Sequence, residues 1–265
     1  MYRGSRKHVL DWGEQPAFLP ELLQLAEAAQ PRVSSKSVWM PRGYREPDEA
    51  RLETFGPRCF PGNPAWDRLR KWWLKHERGA NTPNWDIALG CELEGRPGLI
   101  LVEAKAHKNE IKTEGKVLEL RASGNSRANL AQIAAAINEA CLGLRCLDQN
   151  VAITHESHYQ LANRLGFTWK LATLNVPTVL IYLGFYGDTG IKDLGPPLES
   201  AEDWAATFEQ YAAGSACKPL FERRLACGAA PAWMFVRARE VLEVSGPPPC
   251  DRDNRDRGMC NYGEG

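Results

Sequence analysis

The sequence lacks features that mark several common classes of protein. Its 33 Lys and Arg residues equal its 33 Asp and Glu residues, so no overall positive charge indicates a polyanionic partner, although a neutral total still allows a local basic groove. None of its eight cysteines belongs to a Cys-x-x-Cys pair, which argues against a structural zinc site. No apolar run approaches the roughly 18 residues of a membrane-spanning helix.

Targeting and cofactor signals are also missing. The N-terminal stretch MYRGSRKHVLDWGE contains no apolar core of signal-peptide length, so we expect a cytoplasmic protein with reduced thiols and no membrane partner. The sequence contains no glycine-rich phosphate loop of the P-loop or dinucleotide type, and no Ser-His-Asp arrangement stands out. We therefore expect no organic cofactor.

The order of the predicted elements indicates an α/β domain with a mixed central sheet flanked by helices. Helices are predicted where apolar residues recur at helical spacing, and strands where apolar runs are unbroken. The predicted helices cover 18–29, 64–79, 126–144, 156–174 and 199–213, with a short one near 47–54, and the predicted strands lie within 84–107, 177–186 and 232–241. Ser126 and Ser200 are the expected N-caps of their helices.

The segment GLILVEAKAH (98–107) places two opposite charges at the end of a strand that is otherwise apolar. Glu103 and Lys105 are two residues apart, so they project from the same face. The preceding run and the turn-like residues 94–97 predict a β-hairpin. If its turn centres near residue 95 or 96, Asp86 lies opposite residues 103–105, and three charged groups converge at one end of the hairpin.

Such a group of charges suits a divalent cation. Isolated charges there would cost roughly several kcal/mol each in desolvation, so something must compensate them. Mg²⁺ or Mn²⁺ takes oxygen ligands, which Asp86, Glu103 and the Ala104 carbonyl would supply. The cation would activate a water and offset charge on a phosphodiester, while Lys105 would orient or deprotonate that water or stabilise the developing negative charge.

These residues resemble the PD-(D/E)xK nuclease superfamily. Asp86 followed by Glu103-Ala104-Lys105 across a hairpin matches the metal-binding aspartate, the second acidic ligand and the catalytic lysine of that superfamily, although Trp85 stands where its pattern has a proline. The resemblance implies a restriction-endonuclease-like core over residues 64–245, after an N-terminal extension with a helix and loops (1–63) and before a flexible tail (246–265). Residues 84–240 also resemble an uncharacterised bacterial branch.

The resemblance implies further site residues. Several members carry a helical glutamate that completes the metal shell, for which Glu77 and Glu53 are both candidates. Some branches bring a glutamine into the active site from a later helix, a role that Gln160 would fill. Candidate nucleic-acid contacts are the other polar residues of that helix face and those that follow the strand: Asn163, Arg164, His107, Lys108 and Lys112.

The sequence thus predicts a Mg²⁺- or Mn²⁺-dependent nuclease that hydrolyses phosphodiester bonds, with DNA as the expected substrate. Two alternatives stay open: a catalytically inactive nucleic-acid- or partner-binding module on the same fold, and a hydrolase of a small phosphorylated molecule. Near-zero net charge gives the second alternative some weight, since binding to a long polyanion depends strongly on cationic contacts. Endonuclease or exonuclease action, DNA or RNA preference and a homodimeric state are left open.

Overall fold

The computed structural model describes residues 2–78, 80–118 and 121–241. Its strands are β1 (Trp39–Met40), β2 (Ala50–Arg51), β3 (Asn84–Trp85), β4 (Ile87–Leu93), β5 (Arg96–Lys105), β6 (Thr178–Tyr186), β7 (Arg223–Leu225) and β8 (Ala232–Glu240). The helices of the described residues are α1 (Gly4–Gly13), α2 (Phe18–Leu25), α3 (Leu52–Cys59), α4 (Ala65–Trp73), α5 (Gly124–Arg145), α6 (Tyr159–Thr173) and α7 (Ala201–Ala213). The predicted tail, 246–265, lies outside these residues.

Six of the strands form one mixed sheet in the order β1-β4-β5-β6-β8-β7. The three strands β5, β6 and β8 run parallel, whereas β1, β4 and β7 are antiparallel to their neighbours. The predicted hairpin is confirmed as β4 and β5, joined at Glu94 and Gly95, which both have positive φ (48° and 74°). Two such residues form the type I′ turn that matches strand twist. β2 and β3 form a separate antiparallel ribbon.

Alternate residues of the central strands bury against helices on opposite faces of the sheet. Leu99 and Leu101 of β5 belong to one core with residues of α4, α5, α6 and α7. Ile100 and Val102 belong to the other, with residues of α1 and α2. Burying a side chain of this size stabilises by roughly 1.5–3 kcal/mol, and a slip of one residue would exchange the two faces. The core therefore fixes the face from which Glu103 projects.

The N-terminal residues, predicted as an extension with one helix, share this core. α1, which the sequence pattern did not predict, buries Val9 and Trp12 in the same cluster as Ile100 and Val102. β1 pairs with β4 and forms an edge of the sheet. The sequence GSRKHVLDWG is mostly polar, so its helix depends on the sheet that it covers rather than on a strong apolar stripe of its own.

Several predicted boundaries are wrong by a few residues, for local reasons. The helix predicted over 64–79 ends at Trp73, because Leu74 is extended and the His76 amide donates to Asn129 instead. Ser123 rather than Ser126 caps α5, since its Oγ accepts from the Ser126 amide at 3.1 Å. The Ser200 cap of α7 is confirmed. The short helix predicted near 47–54 is instead β2 followed by α3.

No helix among the residues described combines the length and the apolar character that crossing a membrane requires.

Candidate active site

The pairing of β4 with β5 stops just before a group of charged side chains. Its last pair is Ile87 with Val102, so Asp86 immediately precedes β4, while β5 continues through Glu103 and Lys105. Asp86 Oδ2 accepts a hydrogen bond from the Ala104 backbone nitrogen at 2.7 Å, and Lys105 Nζ donates to Glu103 Oε1 at 2.5 Å. The end of the hairpin thus brings two carboxylates and one ammonium together.

Helix α6 lies over Glu103 and contacts both of its carboxylate oxygens. Gln160 Nε2 donates to Oε1 at 2.6 Å, and Arg164 Nε donates to Oε2 at 2.6 Å. Arg164 also donates to the Asn84 carbonyl at 2.6 Å, and its guanidinium lies over the Trp85 ring at 4.4 Å from the centroid. Residues 160 and 164 share a helix face because they are four apart, and this face orients Glu103.

The two carboxylates have opposite pKa shifts. Burial pushes the pKa of Glu103 upward, but the Arg164 guanidinium and the Lys105 ammonium outweigh burial and hold this pKa below its ordinary value. Asp86 has no comparable cation at hydrogen-bond distance among the described residues. Burial and the neighbouring Glu103 charge therefore raise the pKa of Asp86 to about 7. Near neutral pH, one carboxylate is ionised and the other is poised to exchange a proton or a cation.

The site opens into a cleft of about 790 Å³. The loop that follows β5 lies against the start of α6 and forms one wall of the cleft. Residues on either side of β3 also line the cleft. The charged and polar side chains that line it are Ser5, Glu49, Asn81, Thr82, Asn84, Asp86, Glu103, Lys105, Glu110, Lys112, Glu114, Lys116, Tyr159, Gln160, Asn163 and Arg164. Acidic groups thus meet several cations in one solvent-connected space, which is an environment suited to phosphate chemistry.

The oxygen atoms here fit a hard divalent cation. Gln160 Oε1 is buried and has no hydrogen-bond partner among the described residues, so it is free to accept from a water or to bind a cation. The Ala104 N–H donates to Asp86, and the carbonyl of a strand residue faces the same side as its N–H. The donor set is therefore two carboxylates, one carbonyl and one amide oxygen, which Mg²⁺ accepts together with waters.

The structure does not bring the two predicted additional acids to the cleft. Glu77 pairs with Arg70 at 2.6 Å, and Glu53 accepts from Thr82. Glu49 lines the cleft instead, because the pairing of Ala50 with Trp85 in the β2–β3 ribbon places it beside Asp86. Within the described ranges, no three His, Cys, Asp or Glu side chains are grouped so as to hold a metal ion, so Glu49 does not complete an all-acidic site.

The five predicted nucleic-acid contacts differ in their exposure and in whether they line the cleft. Lys112 is exposed and lines the cleft, whereas His107 is buried and Lys108 pairs with Asp203 at 2.7 Å, neither of them lining it. Asn163 and Arg164 line the cleft but are buried, and Asn163 Oδ1 accepts from Arg164. Of the five, Lys112 alone is an exposed cation that lines the cleft, because the guanidinium of Arg164 is buried and engaged by protein groups.

Glu49 and Lys116 are two of the cleft residues that sequence reasoning missed. Glu49 enters through a two-residue strand, which is too short to show any alternation of apolar and polar residues. Lys116 lies in a polar loop, where a lysine carries no signal that distinguishes a cleft from bulk solvent. Both positions depend on how loops pack onto the hairpin. A pattern confined to one element does not contain that information.

Comparisons of this chain with models of protein families, with curated proteins and with solved structures found no match.

Proposed function

We propose that this protein is a Mg²⁺- or Mn²⁺-dependent nuclease with a restriction-endonuclease-like core, and that it hydrolyses phosphodiester bonds in DNA. One observation carries the proposal: Asp86, Glu103, Lys105 and Gln160 share one cleft at the end of a buried hairpin. Its mixed sheet flanked by helices is the arrangement that the resemblance implies. Lys112 and Lys116, which line the cleft, supply local positive charge for a polyanionic substrate despite the neutral total charge of the chain.

Each residue has a distinct role in this proposal. Asp86, Glu103, the Ala104 carbonyl and Gln160 Oε1 would hold the cation, which would supply an activated water and offset charge on the phosphate. Lys105 would leave Glu103 Oε1 and donate to the attacking water or to a phosphate oxygen. Arg164 would keep Glu103 ionised and fixed in position, because it donates to the oxygen that Lys105 does not contact.

One observation favours the alternative of a non-catalytic binding module. Both oxygens of Glu103 are already hydrogen-bonded by Lys105, Gln160 and Arg164, so a cation must displace at least one donor or use a remaining lone pair. A carboxylate oxygen has two lone pairs, so the geometry permits both outcomes. Metal binding and cleavage therefore have to be measured separately.

The test is cleavage of circular and linear DNA with Mg²⁺, Mn²⁺ or EDTA. We expect cleavage by the wild type that depends on the metal, and a loss of about 100-fold or more in Asp86→Ala and in Lys105→Ala. Glu27→Gln is the matched control, since Glu27 is exposed and distant from the cleft lining. Circular dichroism would establish that each variant is folded.

The possible results separate the hypotheses. Equal cleavage by Asp86→Ala and the wild type would reject this site as the catalytic centre. Retention of DNA without cleavage in either metal would instead support the binding module. Turnover of a small phosphomonoester without salt-sensitive DNA binding would support the third possibility, a hydrolase of small phosphorylated molecules.

A further inference from the structure

The loop after β5 carries a lysine, Lys116, that forms no ion pair with the residues that the structure describes. Lys116 is partly buried and lines the same cleft as Asp86 and Glu103. Its Nζ lies 4.8 Å from the centroid of the Tyr159 ring, which is a cation–π contact. This contact holds the ammonium near the start of α6. Among the described residues, Lys116 has neither an ion pair nor a side-chain hydrogen bond, in contrast to Lys105 and Lys108.

Backbone contacts hold this lysine in place. The Lys116 amide donates to the His155 carbonyl at 2.8 Å, and the His158 and Tyr159 amides donate to carbonyls of residues 113 and 114. Gly115 packs so closely that a Cβ there would lie 2.1 Å from the Glu156 carbonyl oxygen. The segment 112–116 is therefore fastened to the start of α6 and forms a wall of the cleft.

The partly desolvated position has an electrostatic consequence. Burial lowers the pKa of Lys116 below its ordinary value, which is the expected result when an ammonium loses water and no anion of the described residues compensates. A phosphate oxygen would supply an anionic partner. Lys112, exposed four residues earlier in the same loop, adds a second positive charge to the cleft.

We propose that Lys116, supported by the Tyr159 ring and with Lys112 lining the same cleft, forms a subsite for a backbone phosphate adjacent to the one that is cleaved. This inference rests on the proposed function, since it assumes that a polynucleotide enters the cleft. Its ligand is the phosphodiester backbone rather than a base, so binding should depend little on sequence.

The test measures binding of a labelled DNA duplex over a series of salt concentrations, with Ca²⁺ in place of Mg²⁺. Lys116→Met keeps the aliphatic stem and removes the charge. We expect it to weaken binding about tenfold and to reduce the slope of log affinity against log salt by about 1, while Lys116→Arg restores most of both. Lys192→Met, at an exposed lysine outside the cleft, should match the wild type.

A second measurement uses the wild type and avoids any effect of substitution on folding. Duplex DNA should protect Lys116 from acetylation and leave Lys192 reactive. An unchanged salt slope in Lys116→Met, or equal acetylation with and without DNA, would overturn the subsite.

Failure of the proposed function would give results that differ from failure of the subsite. If wild-type protein binds DNA through Lys116 but cleaves nothing in Mg²⁺ or Mn²⁺, the subsite stands and the nuclease activity does not. If Asp86 is required for DNA cleavage while the salt slope is independent of Lys116, the nuclease activity stands and the subsite does not.

Discussion

Replacing Arg164 by Met tests whether the buried ion pair at Glu103 organises the site. Arg164 is 6% exposed. The substitution keeps most of its apolar stem and removes the guanidinium, which contacts Glu103, Asn163 and the Asn84 carbonyl. Glu103, itself 1% exposed, would keep only Lys105 as a cationic partner. Removing one partner of a buried pair typically costs about 3–5 kcal/mol, and we expect a free energy of unfolding lower by that amount near neutral pH.

The pH dependence of this loss has a definite sign. Burial alone raises the pKa of Glu103, but Arg164 and Lys105 hold it below its ordinary value. The carboxylate therefore stabilises the fold above its unfolded pKa, and this contribution is lost as pH falls through the folded pKa. Without Arg164, the effect of burial should exceed that of Lys105 and raise the pKa of Glu103. Ionisation of Glu103 would then oppose folding. The cost of Arg164→Met should thus be larger at about pH 8 than at about pH 5.

The assay is urea unfolding followed by tryptophan fluorescence, at both pH values. Arg68→Met is the control, because Arg68 is exposed on α4 and should change stability by less than about 0.5 kcal/mol. A double-mutant cycle with Glu103→Gln isolates the pair, and the double variant should lose much less than the sum of the single losses. A cost below about 1 kcal/mol at both pH values, or additive losses, would refute this reasoning.

Two further predictions concern Asp86 and the cap of α5. In metal-free protein, Asp86→Asn should raise the free energy of unfolding by at least about 1 kcal/mol at about pH 8, and by less at about pH 5. The pKa of Asp86 is raised to about 7, so ionisation of Asp86 removes stability as pH rises from the unfolded pKa to the folded one. Urea unfolding at both pH values would measure the gain in Asp86→Asn. An equal gain at both pH values would contradict the prediction. Ser123→Ala should lower the free energy of unfolding by about 1 kcal/mol and Ser126→Ala by clearly less, because the Ser123 side chain accepts the capping hydrogen bond. Thermal unfolding of both variants would measure these losses. A larger loss in Ser126→Ala would instead support Ser126 as the cap, as predicted from the sequence.

The central hairpin could be predicted because its signals are local. β5 contains the unbroken apolar run Leu99–Val102, β4 is mostly apolar, and the Glu94-Gly95 turn fixes the register within two residues. Register then determines which charged side chains share a face, so the approach of Asp86 to Glu103 followed from counting residues. The main helices were predictable for a similar reason, since their apolar residues repeat at helical spacing.

The rest of the cleft depends on contacts between segments far apart in the chain. Glu49 reaches Asp86 through a ribbon that pairs residues 50 and 51 with 85 and 84, and strands this short show no periodicity. The wall that carries Lys116 is fixed by backbone hydrogen bonds to residues 155–159. These bonds do not depend on side chains, so the pattern of apolar and polar residues does not predict them. Helix α1 is similarly set by burial of Val9 and Trp12 against the sheet, as expected when tertiary packing overrides weak propensity.

The opposite pKa shifts of the two carboxylates link proton binding and cation binding at Asp86. Glu103 is kept ionised by buried cations, so its charge is permanent near neutral pH, and that charge in turn raises the pKa of Asp86. A proton or a divalent cation relieves the same repulsion, and the two therefore compete for Asp86. Added Mg²⁺ should stabilise the wild type most at high pH and should leave Asp86→Asn almost unaffected. If Mg²⁺ stabilised both proteins equally, the cation would bind elsewhere, and the argument from paired carboxylates to hydrolysis would fail.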